Sequence, residues 1–586
     1  MQLEDYWGVG PKTSATLADG LGVEAAIDAI EAGRLRPLVS AGVDRGRATR
    51  ILRRAASTDG MDVLATSDTR TVYRELLDLA GAHAVTRSAA NQIRTLTPLV
   101  DETAMAERQE RIAAARRTWA QLDEADRTSI LDAYEQYDDA DEGTQTALRT
   151  AVVLAEIETP GELFEPFATL NTDALEDAAT ALDGLEDDRV ADGVDDELDR
   201  LRNAVAQVES LAASPADLVD SLRSAGVRDT TGFRDELLDH LRTETDVDPA
   251  RVRTALPEDA SDATAFVSET LRTLTDELQS AVEQREAEER DRLEADVEDA
   301  REDIETAVNA VDDVALWLSL ARFAEATELT RPEYVADRGT IAVAGARNLS
   351  LLGTSETTVQ PITYAIGEHD LDNVPSGHQV TVLTGANSGG KTTLLETCCQ
   401  VALLATMGLP VPADRAQLAP PERIVFHRRH ASFNAGVLES TLQSVVPPLT
   451  DEGRTLMLVD EFEAITEPGR AADLLHGLVT LTVDADALGA FVTHLADDLE
   501  PLPDAARTDG IFAEGLTSDL ELEVDYQPRF GEVGRSTPEF IVSRLVADAA
   551  DRAERAGFET LAEAVDTEVV QRTLADAQFR ESVDSD

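Results

Sequence analysis

Apolar positions fall into three textures along this chain. In the first, Leu17, Leu21, Val23, Ile27 and Ile30 recur at near-helical spacing after the turn Trp7-Gly8-Val9-Gly10-Pro11-Lys12. A second turn, Ala41-Gly42-Val43-Asp44, leads into a stretch carrying Arg45, Arg47, Arg50, Arg53 and Arg54. The spacing and the glycines predict two short helix pairs joined by hairpins. From about 61 to 257 the sequence is rich in Ala, Leu, Glu, Asp and Arg, helical in period, and broken at Gly143, Pro160-Gly161 and Ser214-Pro215. It has no repeat of fixed period, which argues against a solenoid. The next 74 positions, 258–331, contain neither Gly nor Pro. Val267, Leu271, Leu274, Leu278 and Ala281 make one heptad-like stripe there, and Leu293, Val297, Ala300, Ile304, Ala307 and Val311 a second. Between the stripes, 285–292 (REAEERDR) is charged except at Ala287. The pattern predicts a continuous helix of about 65 residues, about 100 Å long. It is either a bundle helix with one solvated patch or an arm that leaves its partner, or turns over, at the patch. From 338 onward short β-rich runs at 340–343, 379–384, 423–427, 455–460 and 490–493 alternate with helical stretches, which is α/β patterning.

That last texture carries the recognisable chemistry. Gly385-Ala386-Asn387-Ser388-Gly389-Gly390-Lys391-Thr392 matches G-x-x-x-x-G-K-[ST], follows an apolar strand and opens a helix at Thr393. In such a loop the glycines let backbone N–H groups wrap phosphates and the helix N-terminus adds its positive end. Lys391 then neutralises the β and γ oxygens of ATP, and the Thr392 hydroxyl ligates Mg²⁺. Further on, Leu456-Met457-Leu458-Val459 ends in Asp460 and Glu461. Asp460 suits the Mg²⁺ shell, and Glu461 is placed to polarise an attacking water. The run 490–493 ends in His494, which can reach the γ-phosphate or that water. Plain alternatives exist, since paired carboxylates can be solvated and a lone histidine is usually structural. His427 and His430 lack an evident third ligand and read as part of a basic loop.

T-G-x-N-x-G-G-K-[ST] with Asn387, then V-D-E, then T-H after a strand, resembles the ATPase domain of the MutS family within the ABC-type class. The segments 311–332, 341–348 and 534–541 (GRSTPEFI) resemble that family's flanking elements, so the resemblance covers about 257 to 557. It implies ATP and Mg²⁺ as ligands and a homodimer whose signature loop acts in trans. Asn434, Ala435 and Gly436 occupy the signature place, with Ser440-Thr441 following, where the family carries Ser-Thr. Phe462-Glu463-Ala464-Ile465-Thr466 replaces the family's Gly-Arg-Gly-Thr segment. These departures bear on dimer-coupled hydrolysis and its rate, not on nucleotide binding. The mismatch-reading members wedge an N-terminal phenylalanine into DNA, whereas the first phenylalanine here is Phe164. Mismatch reading is therefore not expected; a C-terminal nuclease extension is not expected either, and the chain resembles the archaeal second-type MutS branch. Independently, Gly8-Val9-Gly10-Pro11-Lys12 with Thr13 resembles a helix-hairpin-helix module. Such a hairpin grips DNA phosphates through backbone N–H groups, and Arg45, Arg47 and Arg50 stand on the following helix as further candidates.

Charge complicates the DNA reading and then partly releases it. The net charge is −64, and Lys12 and Lys391 are the only lysines. Acidic excess with arginine in place of lysine resembles the proteins of salt-loving archaea. In roughly molar salt the Debye length is about 3 Å, so the acidity works as a solubility device and says little about partners. An acidic protein that avoids DNA is the plain alternative. Residues 1–56 carry eight basic and seven acidic residues, against −65 for the remainder. The adjacent Cys398 and Cys399 read as core residues. No signal sequence is evident and no apolar run reaches the roughly 18 residues a membrane span needs, so a cytoplasmic, nucleoid-associated protein without membrane contact is expected.

The expected architecture is multi-domain, α plus α/β. It comprises a helix-hairpin-helix module (1–56), a helical core and lever region (57–257), a long coiled-coil arm helix (258–330), an ABC-type P-loop ATPase domain (331–557) and a helical, acidic tail (558–586). The expected function is ATP hydrolysis by a dimeric clamp on double-stranded or branched DNA, largely without sequence specificity, in repair or recombination. Two alternatives stay open: a nucleotide-switched DNA-binding scaffold with negligible turnover, and an SMC-like ABC ATPase. The arm is short for an SMC coil and has no CxxC hook.

Overall fold

The first apolar periodicity closes into a small core of its own. Four short helices, α1 (Pro11–Leu21), α2 (Val23–Glu31), α3 (Leu35–Ser40) and α4 (Arg45–Ala55), pack around Leu17, Ile30, Leu38, Ile51 and Leu52. Gly8 at φ 87° and Gly42 at φ 94° turn the chain toward α1 and α4. Both angles are left-handed and favour glycine. Val9 and Val43, next in each turn, are buried in this core. The same turning device is used twice.

In this computed structural model the described residues are 3–6, 8–31, 33–55, 60–140, 143–157, 161–186, 189–224, 230–258, 260–335, 339–352, 359–385, 390–428, 435–461, 468–516, 522–534, 538–549, 552–565, 570 and 573. The chain divides into two compact units. One comprises Met1–Arg127, Pro160–Leu163 and Asp312–Asp586; the other comprises Thr128–Thr159 and Phe164–Val311. The helices α5 (Ser67–Gly81), α6 (Arg87–Ile93) and α7 (Glu102–Gln121) belong to the first.

The second unit is helical. It contains most of α8 (Glu124–Asp139), then α9 (Thr144–Glu156), α10 (Thr172–Gly184), the two-residue strands β1 (Leu185–Glu186) and β2 (Arg189–Val190), and α11 (Asp196–Ala212). Next come α12 (Pro215–Ser224), α13 (Thr230–Glu244), α14 (Pro249–Ala255) and α15 (Ala263–Asp299). Val267, Leu271, Leu274 and Leu278 of α15 bury against Leu201 and Val208 of α11, Leu218 and Leu222 of α12, Leu237 and Leu241 of α13 and Val252 of α14. The stretch expected as one helix is two: α15 stops at Asp299 and α16 (Arg301–Ala326) begins beyond Ala300, whose φ and ψ of −93° and 5° leave the helical basin. The charged patch 285–292 is also not a bare surface. Arg285 holds Asp195, the N-cap of α11, through two bonds of 2.8 and 3.0 Å. Arg285 and Arg292 both pair with Glu289, which is buried, and Glu286 pairs with Arg202 at 2.8 Å. The Arg285 guanidinium pulls the Asp195 carboxyl down to about 2. Opposite charge from α11, some 90 residues earlier in the chain, meets the patch; local periodicity carries no sign of it.

In the first unit, two sheets follow: β3 (Glu333–Tyr334), β4 (Thr340–Ala346), β5 (Ile362–Gly367) and β7 (Arg415–Leu418) form one, ordered β3-β7-β4-β5. The other contains β6 (Val380–Gly385), β8 (Arg423–His427), β9 (Thr455–Asp460), β10 (Leu488–Val492), β11 (Ala506–Leu516) and β12 (Leu522–Phe530). Its order is β12-β11-β6-β10-β9-β8, parallel throughout except for the β11–β12 hairpin. Parallel strands must be covered on both faces, and successive residues divide the work. Val380, Val382, Met457, Val459 and Phe491 pack under α20 (Pro468–Asp484), while Leu383, Leu456, Leu458, Ala490 and Val492 face α17 (Lys391–Thr406). Beyond α17 lie Val72 and Leu76 of α5 and Phe323 of α16 in the same core. All of α17 is buried except Thr392, Thr393 and Glu396. Cys398 and Cys399 lie in it, and burial lifts the Cys398 thiol to about 12, so these are inert packing residues. Helices α18 (Ala435–Val445), α19 (Pro447–Thr450), α21 (Pro538–Asp548) and α22 (Arg552–Val565) complete the described α-helices.

Candidate active site

Strand register brings the chemical residues to one edge. Leu383, Val492 and Asp460 are direct neighbours across β6, β10 and β9. The chain leaves that edge through Gly385, Glu461 and Thr493-His494, so three separate exits meet where the parallel strands end. Thr392 Oγ1 donates to Asp460 Oδ2 at 2.6 Å, and Asp460 is 2% exposed. Lys391, 5% exposed, donates from Nζ to the Gly385 carbonyl at 2.9 Å. Glu461 has φ 43°, a left-handed value costing a non-glycine residue about 1–3 kcal/mol. The sheet holds it there: its N–H donates to the Val492 carbonyl at 3.0 Å. Its Oε1 then lies 3.1 Å from His494 Nε2.

This arrangement combines a hydroxyl and a carboxylate, the hard oxygen donors that fit Mg²⁺, with a buried ammonium and a carboxylate oriented by an imidazole. Gly390, at φ 77°, is the N-cap of α17 and adds no side-chain cap, so the first turn of that helix offers its N–H groups to an anion. Thr393 lies in that turn, and its carbonyl accepts from Asn348 Nδ2 at 3.3 Å and Thr397 Oγ1 at 2.7 Å. Ala386, Asn387, Ser388 and Gly389, expected in the phosphate loop, lie outside the described residues, as does Asn434. Ala435 and Gly436 form the start of α18.

Several further residues adjoin the site, two of them, Asn348 and Gly534, within the segments 341–348 and 534–541. Gly534 N–H donates to Thr384 Oγ1 at 2.6 Å, and a Cβ on Gly534 would come within 2.8 Å of the Gly385 Cα. Tyr526 of β12, 41% exposed, lies so close to Gly390 that a Cβ there would meet its ring at 2.8 Å. Asn348 is buried against α17, and Gln400 Oε1 accepts from Leu349 N–H at 2.9 Å. Gly534 and Asn348 stand in segments that the sequence already singles out, whereas nothing in the local pattern of β12 marks Tyr526.

Gly385 is the tightest of these points. It sits at φ 131°, and a Cβ would overlap the Ile511 carbonyl oxygen of β11. Gly385→Ala is expected to cost about 3 kcal/mol or more through backbone strain and overpacking. Thermal unfolding followed by circular dichroism reads this directly. Gly477→Ala is the matched control, because nothing lies within 4 Å of a Cβ there; equal midpoints for the two variants would contradict the packing described.

At the other candidate site, Gly8, Gly10, Lys12, Thr13 and Arg47 line one open cleft of about 650 Å³. Lys12, Arg45, Arg47 and Arg50 are exposed, while Thr13 is buried and accepts from Arg47 Nη1 at 3.1 Å. The two hairpins differ at one point. Gly10 puts no side-chain cap on α1, whereas Asp44 Oδ2 accepts the Arg47 N–H at 3.1 Å in the first turn of α4.

No family model matches the chain. It is 45% identical over 189 residues to the DNA-binding protein MutS2 of Pyrococcus furiosus, a match covering 32% of this chain and 34% of that protein. It is 31% identical over 284 residues to the Endonuclease MutS2 of Solidesulfovibrio magneticus, covering 46% and 34%. It is also 28% identical over 211 residues to the mitochondrial DNA mismatch repair protein MSH1 of Arabidopsis thaliana, covering 33% and 18%. The chain therefore has homologues among MutS2 and MutS-family proteins. It spans about a third of the length of the first two. No described helix is long and apolar enough to cross a membrane.

Proposed function

We propose that the chain is a MutS-type ATPase that holds DNA by its backbone and cleaves ATP at the edge where β6, β9 and β10 end. The observation that carries this reading is the meeting of Thr392 with Asp460 at 2.6 Å beside the Glu461–His494 pair at 3.1 Å. Lys391 takes the β and γ oxygens, and the first turn of α17 takes the remaining phosphate charge. Thr392 and Asp460 would hold Mg²⁺, which supplies charge neutralisation on the transferred phosphoryl group. Glu461 accepts a proton from the attacking water, and His494 orients its carboxylate. Tyr526 offers the nucleotide base an aromatic face. The protein works as a homodimer on double-stranded or branched DNA, in the salt-loving cytoplasm its arginine-for-lysine surface fits, and serves repair or recombination without reading mismatches.

DNA contact falls to the first hairpin, where the N–H groups of α1, Lys12 and Arg47 converge on one cleft. In high salt, counterion release contributes little, so directed hydrogen bonds carry the binding. Lys12→Glu is expected to weaken duplex binding about tenfold, equally for unrelated sequences, because phosphate contacts position without specifying. Fluorescence anisotropy with two unrelated labelled duplexes measures it, and ATP affinity should not move. Unchanged duplex affinity, or a loss confined to one sequence, contradicts the backbone-gripping hairpin.

A further inference from the structure

We propose that Arg428 is a positioning residue for the ATP site, tying α5 and the phosphate-loop helix α17 to the point where the chain leaves β8. The proposal rests on the ATPase reading above. β8 is an edge strand, and an open edge needs covering. The N-cap and first turn of α5 cover it with side-chain hydroxyls: Thr66 Oγ1 donates to the Phe426 carbonyl at 2.6 Å, and Thr69 Oγ1 donates to the Ile424 carbonyl at 2.9 Å. Phe426 N–H returns a bond to Thr69 Oγ1 at 3.0 Å. The last rung is Arg428, whose N–H donates to Asp68 Oδ2 at 2.8 Å.

The Arg428 side chain continues to the nucleotide machinery. Its guanidinium lies 5.3 Å from the Phe426 ring centroid, and Nη2 reaches Glu396 Oε2 of α17 at 3.0 Å, with Glu75 of α5 at 3.9 Å. Glu396 is itself held, accepting from Ser350 Oγ at 2.9 Å and from Gln400 Nε2 at 3.4 Å. It stands five residues beyond Lys391 on the same helix. One residue therefore fixes α5 through its backbone and α17 through its side chain, immediately before the segment that leads into α18. A planar, stacked guanidinium suits that task better than a lysine ammonium. Displacement of α5 along the sheet edge is transmitted through Arg428 to the helix bearing Lys391 and Thr392.

The test is ATP turnover with nucleotide affinity measured separately on the full chain. Arg428→Ala should lower kcat about tenfold while the Kd for MgATP stays within about twofold, a magnitude typical of coupling residues that touch no ligand. Asp68→Ala should shift kcat the same way, and the double variant should lose no more than the larger single loss, because both remove one connection. Arg428→Lys should recover part of the rate. Unchanged kcat, affinity falling in step with kcat, or multiplicative losses in the double variant would overturn the proposal. If Arg428→Ala fails to fold, the Asp68→Ala and Arg428→Lys rates decide by the same criteria. No turnover in the unmodified chain sinks the ATPase reading and this proposal together, whereas turnover that both single variants leave intact sinks this proposal alone.

Discussion

Lys391→Ala is expected to raise the Kd for MgATP at least about 100-fold, or about 2.7 kcal/mol. Lys391 is 5% exposed and its ammonium is already oriented by the Gly385 carbonyl at 2.9 Å, so its charge is presented without a large ordering cost. Charge-assisted bonds to phosphate are stronger than neutral ones, and this chain carries a net −64. Lys391→Arg should rescue poorly, because the buried position fits a compact head group and a guanidinium is planar and forked. Isothermal titration with MgATP reads both variants. A Kd within about threefold of the unmodified chain for Lys391→Ala would remove Lys391 from the phosphate site.

Glu461→Gln separates chemistry from binding. Phosphate release should fall by about 10²- to 10⁴-fold, the range general-base removal produces. Affinity for MgATP should hardly change, since an interaction made chiefly in the transition state lowers kcat without altering ground-state binding. The strained φ of 43° at Glu461 and its 3.1 Å approach to His494 are the structural grounds for the expectation. His494→Asn should give a smaller loss in the same direction, because the imidazole acts through the carboxylate. A Glu461→Gln chain with undiminished turnover would place the base elsewhere.

Different parts of this molecule were legible to different degrees. The buried parallel strands announce themselves, because β6, β8, β9 and β10 are covered on both faces and read as short, mostly apolar runs. β11 and β12 do not: ARTDGIFAEGL and LEVDYQPRF mix charge with apolar positions, and irregular register breaks their alternation. That hairpin supplies Tyr526 and packs Ile511 against Gly385, so a part of the site's surroundings was invisible in the local pattern. The helix break at Ala300 has no Gly or Pro to signal it. The patch 285–292 looked solvated because its neutralising partners, Asp195 and Arg202, are supplied by α11. Glycine turns were the most readable loops, since Gly8 and Gly42 take φ values that other residues avoid.

Thr392, Asp460, Glu461 and His494 are proposed to form a hydrolytic site that answers to DNA. The deciding measurement is phosphate release from MgATP in about molar KCl, with and without duplex DNA, by the unmodified chain and by Glu461→Gln side by side. The unmodified chain should turn over ATP faster when duplex DNA is present, and Glu461→Gln should lose that turnover while still binding ATP. Bound ATP with no phosphate released by the unmodified chain, with or without DNA, would contradict the proposed site.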